Sequence, residues 1–326
     1  MEGKGFSINS GDKVLFIRYS ALGDIIKVIP FVRALKDRHP DISLTWLVAT
    51  PWDELIRTQP YVDDVIVWEQ KAKDVNFIKV IREIRRRKFD KLISLQGTDR
   101  GTIMALLSGV PVKVGSHRWA NFVYTHVTEA VENFLGLSLE GFPKPWILVP
   151  DNVRTKVSEL LVGLRPPIIF SVIGASKPIK RWPVDRWVEL CRAVEALGGS
   201  MVLVGHGEEE EAAAEKIVMG AKSKNIMNLV GRLSLIETAA LASLCDAAVG
   251  GDTGFMHLAN AMGLPAVGLF GPTLPGDVGL SGIEKVILTS CEKAGCERWD
   301  CPNQDCLGSI EAKQVIDSLK ELWRDF

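Results

Sequence analysis

GGDTGFMHLANAMGLPAVGLFGPTLPG, residues Gly250 to Gly276, is the stretch from which the rest of the chain is best read. It follows Asp246-Ala247-Ala248-Val249, an apolar run that predicts a short buried strand. Gly250, Gly251, Asp252, Thr253 and Gly254 then make a polar, glycine-rich turn. Phe255 to Met262 has helical character, and Gly263-Leu264-Pro265 stops it. Ala266 to Phe270 predicts a second buried strand, closed by Gly271-Pro272-Thr273. In an open α/β sheet, ligands gather at the carboxyl ends of strands. A turn that opens a helix offers free N–H groups and the positive end of the dipole. Thr253 and Gly254 are therefore placed to hold a phosphate, with His257 one turn further on the same side. Helix capping accounts for Asp252 or Thr253 taken singly. The acid, the hydroxyl, the histidine, the glycines and the Gly-Pro-Thr turn together exceed what a cap needs.

Working outward, the same alternation of strand and helix runs through the chain. Lys13 to Tyr19, Ser43 to Val48, Val65 to Trp68, Lys91 to Leu95 and Val112 to Gly115 predict strands in the first half. Between them lie the apolar stripe Ile25, Ile26, Val28, Ile29, Val32, Leu35 and amphipathic helices over 75–88 and 102–107. Pro143, Pro145, Pro150, Pro166 and Pro167 punctuate 141–167, where a hinge is expected around a short helix at 152–162. A second series follows: strands 168–172, 200–204 and 226–229, helices 184–197, from 208 and 235–244, and a closing helix at 311–323. Alternation of this kind argues parallel sheets with helices on both faces. The fold class is α/β, with two doubly wound Rossmann-like domains facing each other across a cleft. The expected boundaries are 11–150 and 166–310, with 311–326 closing the chain and crossing back to the first domain.

A length of 326 residues suits two domains, and a net charge of −1 gives no global field for nucleic acid. Arg82, Arg85, Arg86, Arg87 and Lys88 form a local basic run. It reads either as a solvated helix face or as a patch toward an anionic lipid surface or acceptor. The opening MEGKGFSINSGDK lacks the apolar centre of a signal peptide, and no run of about eighteen apolar residues occurs. The expectation is a cytoplasmic protein whose membrane contact, at the inner face of the inner membrane, is peripheral. No Gly-x-Gly-x-x-Gly follows the first strand of either half, which argues against a nicotinamide dehydrogenase.

Asp252-Thr253-Gly254-x-x-His257-x-Ala259 followed by Gly271-Pro272-Thr273-x-Pro275 resembles the signature of the lipopolysaccharide heptosyltransferases, glycosyltransferase family 9. Gly23-Asp24 and Lys180-x-Trp182-Pro183 resemble further family elements and fall in the same order, so the resemblance runs from Val14 to about Ile310. It implies the GT-B arrangement, with the acceptor on the N-terminal half and the nucleotide sugar on the C-terminal half. The implied reaction is metal-independent and cofactor-free. A heptosyl unit moves with inversion from ADP-L-glycero-β-D-manno-heptose to Kdo-lipid A or heptosyl-Kdo-lipid A in the lipopolysaccharide inner core. Another nucleotide sugar or acceptor on the same fold, or a nucleotide-binding module without turnover, are the alternatives.

Residue roles follow the same way. Asp24 serves as an N-cap by position alone; the resemblance makes it the general base that takes the acceptor hydroxyl's proton. Lys180 inherits the phosphate contact, whereas Lys177 and Arg181 share only its loop. The resemblance implies a ribose-binding glutamate after Gly205; Glu208 and Glu209 compete for it, with Glu208 preferred. Asp252, Thr253, Gly254 and His257 complete the donor site. Leu95-Gln96-Gly97-x-x-Arg100 resembles a family segment, so Gln96 and Arg100 are expected to line the acceptor side, Arg100 facing an anion. Cys191 and Cys245 read as core residues. Cys291, Cys296, Cys301 and Cys306 are evenly spaced and lack the C-x-x-C zinc pattern. A structural metal, an iron–sulfur site, disulfides or a reduced loop all remain open for them, and no metal ligand is assigned.

Overall fold

The computed structural model describes residues 6–69, 73–137, 142–280, 283–301 and 306–324. The chain divides into two compact units, Met1–Leu148 and Val149–Phe326. The first contains β1 (Lys13–Ile17), α1 (Leu22–Lys27), α2 (Ile29–Arg38), β2 (Ser43–Ala49), α3 (Asp53–Arg57), β3 (Asp64–Trp68) and α4 (Lys73–Arg87). It continues with β4 (Lys91–Ser94), α5 (Asp99–Leu107), β5 (Val112–Gly115), β6 (His126–Val127) and α6 (Val131–Phe134). The second contains α7 (Asp151–Leu160), β7 (Ile168–Val172), α8 (Val184–Ala196), β8 (Ser200–Val204), α9 (Glu208–Ala221) and β9 (Ile226–Asn228). It ends with α10 (Leu235–Ala242), β10 (Ala247–Gly251), α11 (Gly254–Ala261), β11 (Ala266–Phe270), β12 (Lys285–Leu288) and α12 (Ala312–Arg324).

Each unit is built on one six-stranded sheet, ordered β3-β2-β1-β4-β5-β6 in the first and β12-β11-β10-β7-β8-β9 in the second. Every pairing is parallel. Renumbered from its own first strand and read from the β9 edge, the second sheet repeats the 3-2-1-4-5-6 order of the first. That is the Rossmann order, in which the chain reverses direction across the sheet between its first and fourth strands. The architecture is the GT-B type of α/β fold, two Rossmann-like units in one chain.

The buried residues explain the elements. β1 buries Val14, Leu15, Phe16 and Ile17 completely, as a strand covered on both faces must. β10 and β11 are buried along their whole length. The second core joins Trp187, Leu190 and Val194 of α8 to Leu203, Val249 and Leu269 of the sheet.

Two segments of the sequence reading can be placed within the units. The closing helix was expected to cross back to the first domain. In the structure the α12 stripe of Val315, Ile316, Leu319 and Leu322 is built into the second unit's core. The proline-punctuated segment also divides. Pro145 and Trp146 are held on the first unit through Arg33, and Leu148 through Gln59. α7 belongs to the second unit, tied to α10 by Lys156 Nζ to Glu237 at 2.5 Å. β12 went unpredicted because Val286 and Leu288 face outward on an edge strand, so its apolar run looks like a loop. No helix among the described residues is long and apolar enough to cross a membrane.

Candidate functional site

The second unit gathers its polar residues where β7 and β10 end side by side, the switch point of its sheet. After β7 the chain forms a 3-10 turn, Pro178–Lys180, anchored by the buried Ile179 and presenting Lys180. After β10, Thr253 caps α11, its hydroxyl accepting from Met256 N at 3.3 Å. Thr253 O accepts from His257 N at 3.1 Å. The N–H groups of Gly254 and Phe255 are left in the first turn without an intrahelical acceptor, as at any helix start. Gly250 is required here, because a Cβ would lie 2.7 Å from Val172 Cβ and 3.0 Å from the Met256 side chain.

Asp252 joins these pieces. Lys180 Nζ donates to Asp252 Oδ2 at 2.6 Å and approaches its carbonyl oxygen at 3.3 Å. His257 Nε2 lies 3.8 Å from Asp252 Oδ1, and the imidazole is buried. Burial of Asp252 works against its charge, but His257 and Lys180 outweigh that and hold the carboxyl down at about 2. Lys180, Asp252, Thr253, Gly254 and His257, expected from the sequence, therefore stand together. The site is a cation pinned by an anion beside a helix N-terminus, which suits a phosphate.

Glu208 does not join them. It is exposed at the start of α9, and Glu209 turns outward to pair with Arg181 at 2.6 Å. Glu210 enters instead. Its carboxylate lies over Gly174 and Gly205, the glycines following β7 and β8, and accepts from His206 N at 2.8 Å. A Cβ on Gly174 would sit 1.8 Å from that carboxyl group, so glycine alone leaves it room. Burial raises the Glu210 pKa above the usual carboxylate range, against the His206 N–H that lowers it.

The cysteine segment covers the turn after β11. Gly271 O accepts from Gly295 N, and Pro272 O from Glu297 N, both at 2.8 Å. Cys306 Sγ lies where a Cβ on Gly271 would be, 2.7 Å away. The same segment lays the Trp299 ring 5.2 Å from Lys180 Nζ, a cation–π contact. Burial raises the Cys306 thiol pKa, and the neighbouring thiols of Cys291, Cys296 and Cys301 add to the effect. Among the described residues, no group of three His, Cys, Asp or Glu side chains is arranged to hold a metal ion.

The first unit repeats the pattern where β1 and β4 end together. Asp24 sits in the first turn of α1, two residues inside its start, and the N-cap is Ala21. Its carboxylate is bound by Arg18 Nη2 at 2.6 Å and Lys27 Nζ at 2.8 Å. Burial opposes the charge; Lys27, Arg18 and the Ala21 N–H overcome it and lower the pKa. Arg18 also donates to Leu95 O, so β4 fixes the guanidinium. Gln96 is buried, its Oε1 accepting from Tyr19 N at 3.1 Å. It holds the β1–α1 turn from beneath and is not an exposed lining residue. Arg100 is exposed beside the Trp68 ring, 5.8 Å from its centroid. Arg18, Lys27, Glu210 and Trp299 were missed in the sequence. The i, i+3 spacing of Asp24 and Lys27 was a usable signal. Nothing local marks Trp299, which reaches Lys180 only through the fold.

A hollow lined by Pro166, Ala242, Met262 and Trp323 lies at the amino ends of β7 and β10. That is the opposite edge from the carboxyl ends where such sheets bind ligands.

The sequence model of "Glycosyltransferase family 9 (heptosyltransferase)" matches residues 77–306. Lipopolysaccharide heptosyltransferase 1 of Campylobacter coli is 26% identical, covering 96% of this chain and 99% of its own. The solved glycosyltransferase family 9 protein of Veillonella parvula DSM 2008 superposes with a TM-score of 0.87 at 23% identity, covering 98% of this chain and 99% of its own. The E. coli heptosyltransferase WaaC, solved with ADP, gives a TM-score of 0.73 at 20% identity, covering 95% of this chain and 99% of its own. With the family model spanning more than half its length, the chain belongs to glycosyltransferase family 9, the heptosyltransferases.

Proposed function

We propose that the chain transfers a heptosyl unit from ADP-L-glycero-β-D-manno-heptose to the inner core of lipopolysaccharide, with inversion at the anomeric carbon. The observation that carries this reading is the Lys180–Asp252–His257 cluster beside the start of α11, a ready site for a nucleotide diphosphate. The names of the relatives supply the sugar: the Campylobacter protein is a lipopolysaccharide heptosyltransferase, and WaaC was solved with ADP.

In this mechanism the donor lies on the second unit. Lys180 and the Gly254 and Phe255 N–H groups take the diphosphate, and Glu210 receives the ribose hydroxyls in the place first given to Glu208. Asp252 keeps Lys180 charged and aimed. The acceptor lies on the first unit, with Arg100 toward its anionic group. Asp24, ionised at neutral pH because Lys27 and Arg18 hold its pKa low, accepts the acceptor hydroxyl's proton. The freed oxygen attacks the anomeric carbon from the face opposite the diphosphate. The carbon–oxygen bond to the β-phosphate breaks, and ADP leaves with both electrons. Its new negative charge falls on Lys180 and the helix N-terminus, the kind of preorganised stabilisation that lowers such barriers, with no metal in the step.

Calorimetric titration with ADP, UDP and GDP tests the donor site, followed by a transfer assay with ADP-heptose and Kdo-lipid A. ADP is expected to bind selectively. Asp24→Asn is expected to keep that affinity while losing a hundredfold or more of the turnover, on the order of general-base effects. Preference for UDP or GDP would sink the heptose assignment. Unchanged turnover in Asp24→Asn would remove Asp24 from the chemistry.

A further inference from the structure

Beyond its charged first turn, with Asp99 and Arg100 exposed, α5 is apolar on its outer face as well as its inner one. Its inner face buries Thr102, Met104 and Ala105, yet Ile103, Leu106 and Leu107 remain 43%, 51% and 43% exposed. The 117–123 loop packs beside it. His117 bonds Asp99 at 3.0 Å, and Tyr124 lies 3.3 Å from Thr102. That loop presents Trp119 and Phe122, 73% and 81% exposed. Five large apolar side chains on one helix and its neighbouring loop exceed the scattered exposure of an ordinary surface.

Cations frame this face. The Arg118 guanidinium lies 4.5 Å from the Trp119 ring centroid. At the far end of α5, Arg85 and Lys88 line one hollow with Ser108 and Gly109. Of the basic run, Arg86 and Arg87 are engaged by Glu83. Arg82, Arg85 and Lys88 are exposed and have no ion pair among the described residues. Asp90, in the same hollow, is occupied by the Lys13 N–H at 2.8 Å.

We propose that α5 and the 117–123 loop dock onto an anionic lipid surface, with Trp119 and Phe122 entering the headgroup layer and the basic residues facing lipid phosphates. Aromatic rings settle at that depth because one edge is apolar and the other tolerates water. Clustered Lys and Arg add attraction to anionic lipid within a Debye length. Arg100 stands one turn before Ile103 on α5, so docking would bring a lipid-anchored sugar to its end of the helix. Only this last link rests on the heptosyl-transfer reading.

The test is co-sedimentation of the full chain with phosphatidylglycerol/phosphatidylcholine vesicles and with phosphatidylcholine alone. The wild type is expected to bind the anionic vesicles, less at high salt. Trp119→Ser/Phe122→Ser and Arg82→Gln/Arg85→Gln/Lys88→Gln are each expected to lose roughly tenfold or more in partitioning, as two-signal membrane binding requires. Both variants should keep the wild-type melting temperature and ADP affinity. Failure of the wild type to bind, or variants that bind as it does, would overturn the proposal. So would a vesicle-independent dimer that Trp119→Ser/Phe122→Ser dissolves, which would assign the face to a second copy. Vesicle binding without heptosyl transfer would overturn the enzymatic reading and leave the docking face standing.

Discussion

At the scale of the residue, Asp252 makes the donor cluster measurable. Its pKa of about 2 lies below the ordinary carboxylate value near 4. A depressed carboxylate stabilises the fold above the unfolded-state pKa, and the contribution fades as pH falls through the folded value. The gap is on the order of 2 kcal/mol. Asp252→Asn is therefore expected to melt lower than wild type at pH 7, with the difference shrinking toward pH 2. Lys180→Ala strands that buried carboxylate and removes a charge-assisted bond, so ADP affinity should fall roughly 10- to 100-fold. Calorimetry would show it. Glu210 is predicted to behave oppositely. Its raised pKa means that ionisation costs stability at neutral pH, so Glu210→Gln should melt at the same temperature or higher while binding ADP several-fold more weakly. A lower melting point with unchanged affinity would make Glu210 purely structural. The sequence singled out Lys180, Asp252 and His257 because their motif is compact. It offered Glu208 and Glu209 and passed over Glu210 because four consecutive acids, Glu208 to Glu211, look alike until the fold lays one of them over the strand-end glycines.

At the scale of the element, α11 is a helix whose start has two jobs. Thr253 caps it through Met256 N, and the remaining N–H groups face the site. Thr253→Val should cost about 1 kcal/mol of stability, read as a lowered melting temperature, and weaken ADP binding by loosening the same turn. The 291–301 segment acts from further away. Its backbone is bonded to Gly271 and Pro272, and its Trp299 covers Lys180. Bound ADP is therefore expected to slow alkylation of the exposed Cys291 and Cys296 thiols by iodoacetamide, followed by mass spectrometry. Equal labelling with and without ADP would disconnect the segment from the site. Its sequence showed four evenly spaced cysteines and so invited a metal or disulfide reading. What it does with its backbone depends on contacts from Gly295 and Glu297 back to Gly271 and Pro272, which no local pattern carries. Most strands and helices were legible because buried parallel strands are short apolar runs between turn residues. The edge strand β12 escaped because half its side chains face water.

At the scale of the whole molecule, two parallel sheets were legible from alternation alone, whereas their strand order was not. Order depends on which crossovers reverse direction, and alternation is silent on that. The repeated 3-2-1-4-5-6 order puts a switch point in each half, and the candidate residues of each half gather there. The packing of α12 was not legible for a similar reason. Val315, Ile316, Leu319 and Leu322 announce a helix with one apolar face, and nothing in the stripe names the surface it covers. The second half thus holds α7 at its beginning and α12 at its end, each with contacts inside that unit. Recombination at Leu148–Val149 would fall at the boundary between the two compact units. On the proposed function, a chimera carrying this chain's second half and a relative's first half should inherit its nucleotide preference from one parent and its acceptor preference from the other, so new glycan linkages would arise by exchange of halves as well as by point substitution.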